Sequence, residues 1–95
     1  MSDEKVTAIF SHLVSDYAQW KRAFDLHEPT RTRAGVVSKG VFRSVDIPNH
    51  VTIVLEAPTA EALIAFGKSD VLKTTMTNAG VISVPEVKIL KPAKD

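Results

Sequence analysis

Acid, base or nucleophile chemistry in this chain has to come from three histidines, eleven carboxylates and scattered hydroxyls, because cysteine is absent. That absence excludes a disulfide framework and any thiolate-based metal or nucleophile chemistry. His27 follows Tyr17, Trp20 and Phe24 at a spacing that puts all four on one side of a helix. An imidazole there could serve as acid, base or hydrogen-bond donor beside a bound aromatic. The competing reading is a histidine at a helix C-terminus, favoured by the macrodipole and bonded to a carbonyl. His12 alternates with Val6, Ala8, Phe10 and Val14 on an otherwise apolar strand face. It either lines a cavity or is a satisfied histidine at a sheet or subunit interface. His50, beside Pro48 and Asn49, reads as solvated.

The other candidates are weaker. His12, His27 and Glu56 come from three separate elements, and no H-x-H, H-x-x-x-H or H-x-x-E spacing fixes two ligands locally, so no metal site is expected. Ser11 and His12 are strand neighbours and point to opposite faces, which excludes them as a nucleophile and base pair. Arg43 and Glu56 each lie among branched apolar residues of a strand, and a cross-strand ion pair between them is favoured over a catalytic carboxylate. Arg31 and Arg33 follow Pro29 and read as a solvated loop, the alternative being an approach to an anionic substrate at a cavity mouth. Trp20 and Phe24 are core aromatics first and stacking surfaces second.

These residues sit in a regular succession of periodicities. A strand over Val6 to Val14 is followed by a helix that Asp16 caps, with Gln19 three positions on. Pro29 interrupts that helix, although a new turn can start there and run to Gly35. Strands over Val36 to Val45 and His50 to Ala57 flank the turn Asp46-Ile47-Pro48-Asn49 and should pair as an antiparallel hairpin. Thr59 caps a helix carrying Ala62, Leu63 and Phe66. A break near Gly67 to Ser69 leads into a second segment with Leu72, Met76 and Ala79 on its face, closed by Gly80. Pro85 enters the last strand, Glu86 to Lys91. The order β-α-β-β-α-β predicts an α+β, ferredoxin-like four-stranded antiparallel sheet with helices on one face. The strands read as apolar on both sides, so the bare face calls for a partner, and a homodimer is expected.

At 95 residues the chain is expected to be a single domain, 1–95, with its core within 6–91 and frayed tails over Met1 to Lys5 and Pro92 to Asp95. Twelve Lys and Arg against eleven Asp and Glu leave a formal charge of +1, with no basic stretch longer than two, which gives no support for a nucleic-acid or membrane-surface role. The polar start lacks a signal-peptide core and no apolar run has membrane-spanning length, so a soluble, cytoplasmic protein is expected.

The run SHLVSDYAQWKRAFDLHEPTR, followed by VFRSVDIPNHVTIVLEAPTAEALIAF and AGVISVPEVKIL, resembles the dimeric α/β-barrel superfamily, nearest its antibiotic-biosynthesis-monooxygenase-like and stress-responsive members. The resemblance covers roughly residues 6–91 and is one of architecture and spacing. It implies a homodimer with two sheets face to face and a small-molecule cavity between sheet and helices in each protomer. Members include cofactor-free monooxygenases acting on quinone-like substrates, haem-degrading enzymes, isomerases and dehydratases. The haem branch fits poorly, since it typically uses an Asn on the first strand and a late histidine, whereas this chain has Ser11 and His12 early and no histidine beyond residue 50.

Two classes of function follow. One is a cofactor-free, metal-free monooxygenase-like enzyme for a small aromatic or quinone-like substrate, with His27 and His12 as catalytic candidates and Tyr17, Trp20, Phe24, Phe66 and Met76 as the substrate-binding wall. The other is a non-catalytic module that binds a small hydrophobic or aromatic ligand or another protein. Isomerase or cyclase chemistry on the same scaffold is the alternative enzyme.

Overall fold

Alternation on two strands decides how the layers form. Along β1 (Val6–Leu13) and β3 (His50–Ala57) every second side chain is buried, Val6, Ala8, Phe10 and His12 on the first and Val51, Ile53, Leu55 and Ala57 on the second. They pair antiparallel with Phe10 opposite Ile53 and His12 opposite Val51, which brings both buried sets to one face. In the computed structural model, which describes residues 5–68 and 70–93 and leaves the side chains of 70–72 undescribed, β2 (Val37–Arg43) pairs with β3 and β4 (Glu86–Leu90) pairs with β1. The sheet order is β2-β3-β1-β4, antiparallel throughout. Helices α1 (Tyr17–Leu26), α2 (Glu28–Arg33), α3 (Ala60–Gly67) and α4 (Asp70–Asn78) cover the face carrying the buried set. This is the expected ferredoxin-like α+β fold. None of the described helices is long and apolar enough to cross a membrane.

The helix ends follow from local chemistry. Asp16 Oδ1 accepts the backbone N–H groups of Ala18 and Gln19 at 3.0 and 3.3 Å, and the Thr59 hydroxyl accepts that of Ala62 at 3.1 Å. Two further ends share one device. After α2, Val36 N–H donates to Arg31 O at 2.8 Å and Gly35 N–H to Thr32 O at 3.0 Å, with Gly35 at φ 82°. After α4, Val81 N–H donates to Met76 O at 3.0 Å and Gly80 N–H to Thr77 O at 3.2 Å, with Gly80 at φ 90°. Both are Schellman closures, in which a left-handed glycine lets the chain turn back and satisfy carbonyls of the last turn. They fix the backbone of Arg31 and Met76 in the last turns of their helices.

The structure differs from the expected boundaries at several strand ends. The first strand was expected to include Val14, which instead makes an isolated bridge with Val81, because Ser15 N–H donates to Gly80 O and the chain there is already turning into α1. The second strand stops at Arg43, since the Ser44 hydroxyl accepts the N–H groups of Asp46 and Ile47 at 3.2 and 3.1 Å and starts the turn early. Pro29 does start the new turn that can run to Gly35: it occupies the first turn of α2, where its missing N–H costs nothing, so Arg31 and Arg33 lie on a helix and not in a loop. The Leu72 side chain and most of the expected frayed tails lie outside what the structure describes.

The face without helices is mixed rather than apolar. Ile9, Leu13 and Val54 are interspersed with Thr7, Ser11 and Thr52, and the Ser11 and Thr52 hydroxyls are 2.9 Å apart. Its flanks are open: on β2 Val37 and Phe42 are 54 % and 56 % exposed, and on β4 Leu90, 45 % exposed, stands in line with Lys88 and Glu86. Phe42 lies along β2 over Gly40, where an added Cβ would come within 2.8 Å of the ring.

Candidate functional site

Between the helices and the buried sheet face lies a cavity of about 420 Å³, within the range of pockets that enclose small ligands. His12, Trp20, Phe24, His27, Phe66 and Met76 all line it. The wall is ordered as a row of contacts. The His12 ring meets Trp20 edge-on at 5.7 Å between centroids, Trp20 stacks on Phe24 at 5.1 Å, and the Arg31 guanidinium stands 3.7 Å over Phe24. The spacing 20, 24, 27, 31 generates this row from the sequence, since α2 carries on the inward phase of α1 across His27.

Tyr17 is the exception among the expected wall residues. It shares the helix phase but sits at the first residue of α1, beyond the cavity's end, where it packs against Trp20 and beneath the Arg43 guanidinium at 4.0 Å. Phase was read correctly and depth along the axis was not.

Arg43 and Glu56 do not form the expected pair. Arg43 is opposite Val51 near the turn and donates from Nε to Pro48 O at 2.8 Å, while Glu56 is opposite Val37 at the far end of the hairpin and lies 3.8 Å from Lys5. The hairpin register separates them by most of a strand. Register also puts Glu56 on the bare face, opposite Thr7, with the cavity histidines on the other, so His12, His27 and Glu56 do not converge.

The two histidines share one cavity but differ in their surroundings. His12 is 2 % exposed and its Nδ1 is buried with no hydrogen-bond partner. Burial lowers its pKa, the pull of its own backbone opposes this, and the nearby His50 charge adds to the lowering. The imidazole is therefore neutral at pH 7 and able to accept a proton. His27, half-buried, closes α1 and opens α2, and its Nε2 lies 3.2 Å from the Thr75 hydroxyl of α4. Its place at a helix C-terminus holds, but its ring also ties two helices together.

Arg31 is the cavity residue that sequence reading put in solvent. It is 6 % exposed, lines the cavity, and donates from Nη1 to Phe24 O at 2.8 Å, whereas Arg33 is exposed as expected. The signal was the continued spacing beyond Pro29, which a proline at a first helical turn permits.

The neutral His12 makes stability depend on pH. Its folded pKa is below the unfolded value of about 6.5, so the unfolded chain takes up the proton first as pH falls. His12's contribution is full above about pH 6.5 and is lost as pH falls toward the folded pKa. Urea denaturation of parent and His12→Phe between about pH 7.5 and 5.5 should show the parent losing stability more steeply. Parallel curves would reject the assignment.

No protein-family model matches the sequence, and no curated protein matches it either. Solved structures do match in fold. A Bordetella bronchiseptica protein provisionally described as an antibiotic biosynthesis monooxygenase is 20 % identical, with a TM-score of 0.79 over 96 % of this chain and 99 % of its own. SnoaB, a cofactor-independent oxygenase from Streptomyces nogalater, is 16 % identical, with a TM-score of 0.76 over 97 % and 96 % of the two chains. A conserved protein from Methanosarcina mazei Go1 gives 14 % identity and a TM-score of 0.64 over 96 % and 95 %. The chain thus shares the ferredoxin-like fold of antibiotic-biosynthesis-monooxygenase-like proteins at near-complete mutual coverage.

Proposed function

We propose that this chain is a cofactor-free, monooxygenase-like enzyme that deprotonates a small aromatic or quinol-like substrate and hands the resulting anion to dioxygen. The observation that carries this is the buried His12 on the wall of an apolar cavity, next to Trp20. A base poised without a proton takes one from a substrate hydroxyl, and the dry surroundings make the electron-rich anion a stronger reductant. Sharing a fold with a cofactor-independent oxygenase supports the reading by analogy. Oxygen uptake with a panel of anthrones and quinols, above the uncatalysed blank, tests it.

A second reading rests on a specific observation. Among the described residues none orients His12 through Nδ1, whereas a working base is usually held by a third group. A binding module for a small aromatic ligand needs no such group. Tight binding of an aromatic probe with no oxygen uptake across the panel would favour it over the enzyme and over isomerase or cyclase chemistry.

The working unit in this proposal is a cytoplasmic homodimer joined through the bare sheet face. Val37, Phe42 and Leu90 are exposed there around Ile9, Leu13 and Val54, apolar residues on an otherwise mixed face that a second copy would cover. An isologous contact covers both copies at once. Analytical ultracentrifugation at micromolar concentration should give a dimer that resists salt, and Phe42→Glu should shift it to monomer with the folded spectrum retained. A parent chain that is folded and purely monomeric would reject this assembly.

A further inference from the structure

The chemistry assigned to His12 makes no use of Arg31, which carries the formal charge of the cavity. Its two contacts, Phe24 O at 2.8 Å and the Phe24 ring at 3.7 Å, hold the guanidinium in place without neutralising it. Among the described residues the two ion pairs are Lys5 with Glu56 and Lys21 with Asp25, and neither includes Arg31. Among the described residues no aspartate or glutamate lines the cavity, and Asp25 and Glu28, which act on Arg31 through their charge, are both exposed. A buried cation is costly unless an anion completes it, and arginine does not escape by losing its proton. Phe10, Trp20, Phe24, Phe66 and Met76 give the rest of the space an apolar, largely aromatic wall.

We propose that the cavity takes an aromatic carboxylate, whose rings lie against the Trp20 and Phe24 row and whose carboxylate pairs with the Arg31 guanidinium. The planar guanidinium matches a carboxylate in shape as well as charge, and the burial of Arg31 leaves little room for water to screen the pair. The row also sets direction. Arg31 and His12 are its two ends, so an anchored ligand presents its opposite edge to His12. Only that last step rests on the oxygenase reading; anchoring is a binding property and stands or falls separately.

The test is equilibrium binding of anthracene-9-carboxylate and its neutral carboxamide, followed by quenching of the single tryptophan, which is in the cavity wall. The parent should bind the carboxylate at least tenfold more tightly than the carboxamide. Arg31→Met should abolish that preference while changing carboxamide affinity less than threefold, and Arg31→Lys should keep part of it. Equal affinity for the two probes in the parent, binding of neither, or a preference that persists in a folded Arg31→Met would overturn the proposal. Should Arg31→Met fail to fold, the parent's preference between the probes and its retention in Arg31→Lys decide the matter. Oxygen uptake plays no part in these outcomes, so a binder that does not consume oxygen would sink the enzyme reading and leave the anchor intact.

Discussion

Trp20→Ala is expected to destabilise the fold by about 3–5 kcal/mol, the range for removing a large aromatic from a packed site. Trp20 is 3 % exposed and joins three neighbours: His12 edge-on, Phe24 in a stack and Tyr17 at a tilt. Truncation enlarges a cavity that is already open, so the surroundings have little reason to collapse into the space. It also removes the surface on which the row from His12 to Arg31 is aligned. Against a total stability of about 5–15 kcal/mol for a domain of ordinary size, such a loss leaves the variant marginal. Urea denaturation followed by circular dichroism measures it, since the variant has no tryptophan. A loss under about 1 kcal/mol, or parent emission like that of free tryptophan, would show that Trp20 is not core.

What the sequence made legible was whatever depends on neighbours along the chain. Alternation in β1 and β3 gave the strands and sorted their side chains into two faces without telling which turns inward, and Asp16, Thr59, Gly35 and Gly80 marked helix ends that the hydrogen bonds bear out. The inward residues Trp20, Phe24, His27, Phe66 and Met76 followed from periodicity and do line one cavity. Errors arose where position depends on distance across the fold. The Arg43–Glu56 pair was plausible by composition, but hairpin register puts the two at opposite ends of a strand pair. Tyr17 had the right phase, and only the length of α1 relative to the cavity moves it outside. Arg31 was lost because Pro29 looked like a stop, when its position one residue into α2 lets the helical phase resume. The bare face was read as apolar from residues such as Ile9 and Val54, without weighing the Ser11 to Thr52 hydroxyl contact that register creates between them.

The same register argument bears on which histidine acts. On a responsive quinol or anthrone, His12→Asn should lower kcat/KM by about 10²–10⁴-fold, the usual contribution of a positioned general base. His27→Ala should cost far less, because the His27 ring is already engaged with Thr75 Oγ1 and its removal loosens a helix contact instead of deleting the proton acceptor. EDTA should leave the parent rate unchanged, as the substrate supplies the electrons. The pH profile separates a base from a mere wall residue. Because burial lowers the His12 pKa, kcat/KM should rise with pH along a limb whose midpoint lies below about pH 6.5, and the His12→Asn residual rate should lack that limb. Retention of more than about a third of the parent rate in His12→Asn would remove His12 from the mechanism. A large loss in His27→Ala with His12→Asn intact would transfer the role to His27, and activity that survives both substitutions but disappears with EDTA would replace base catalysis with metal chemistry altogether.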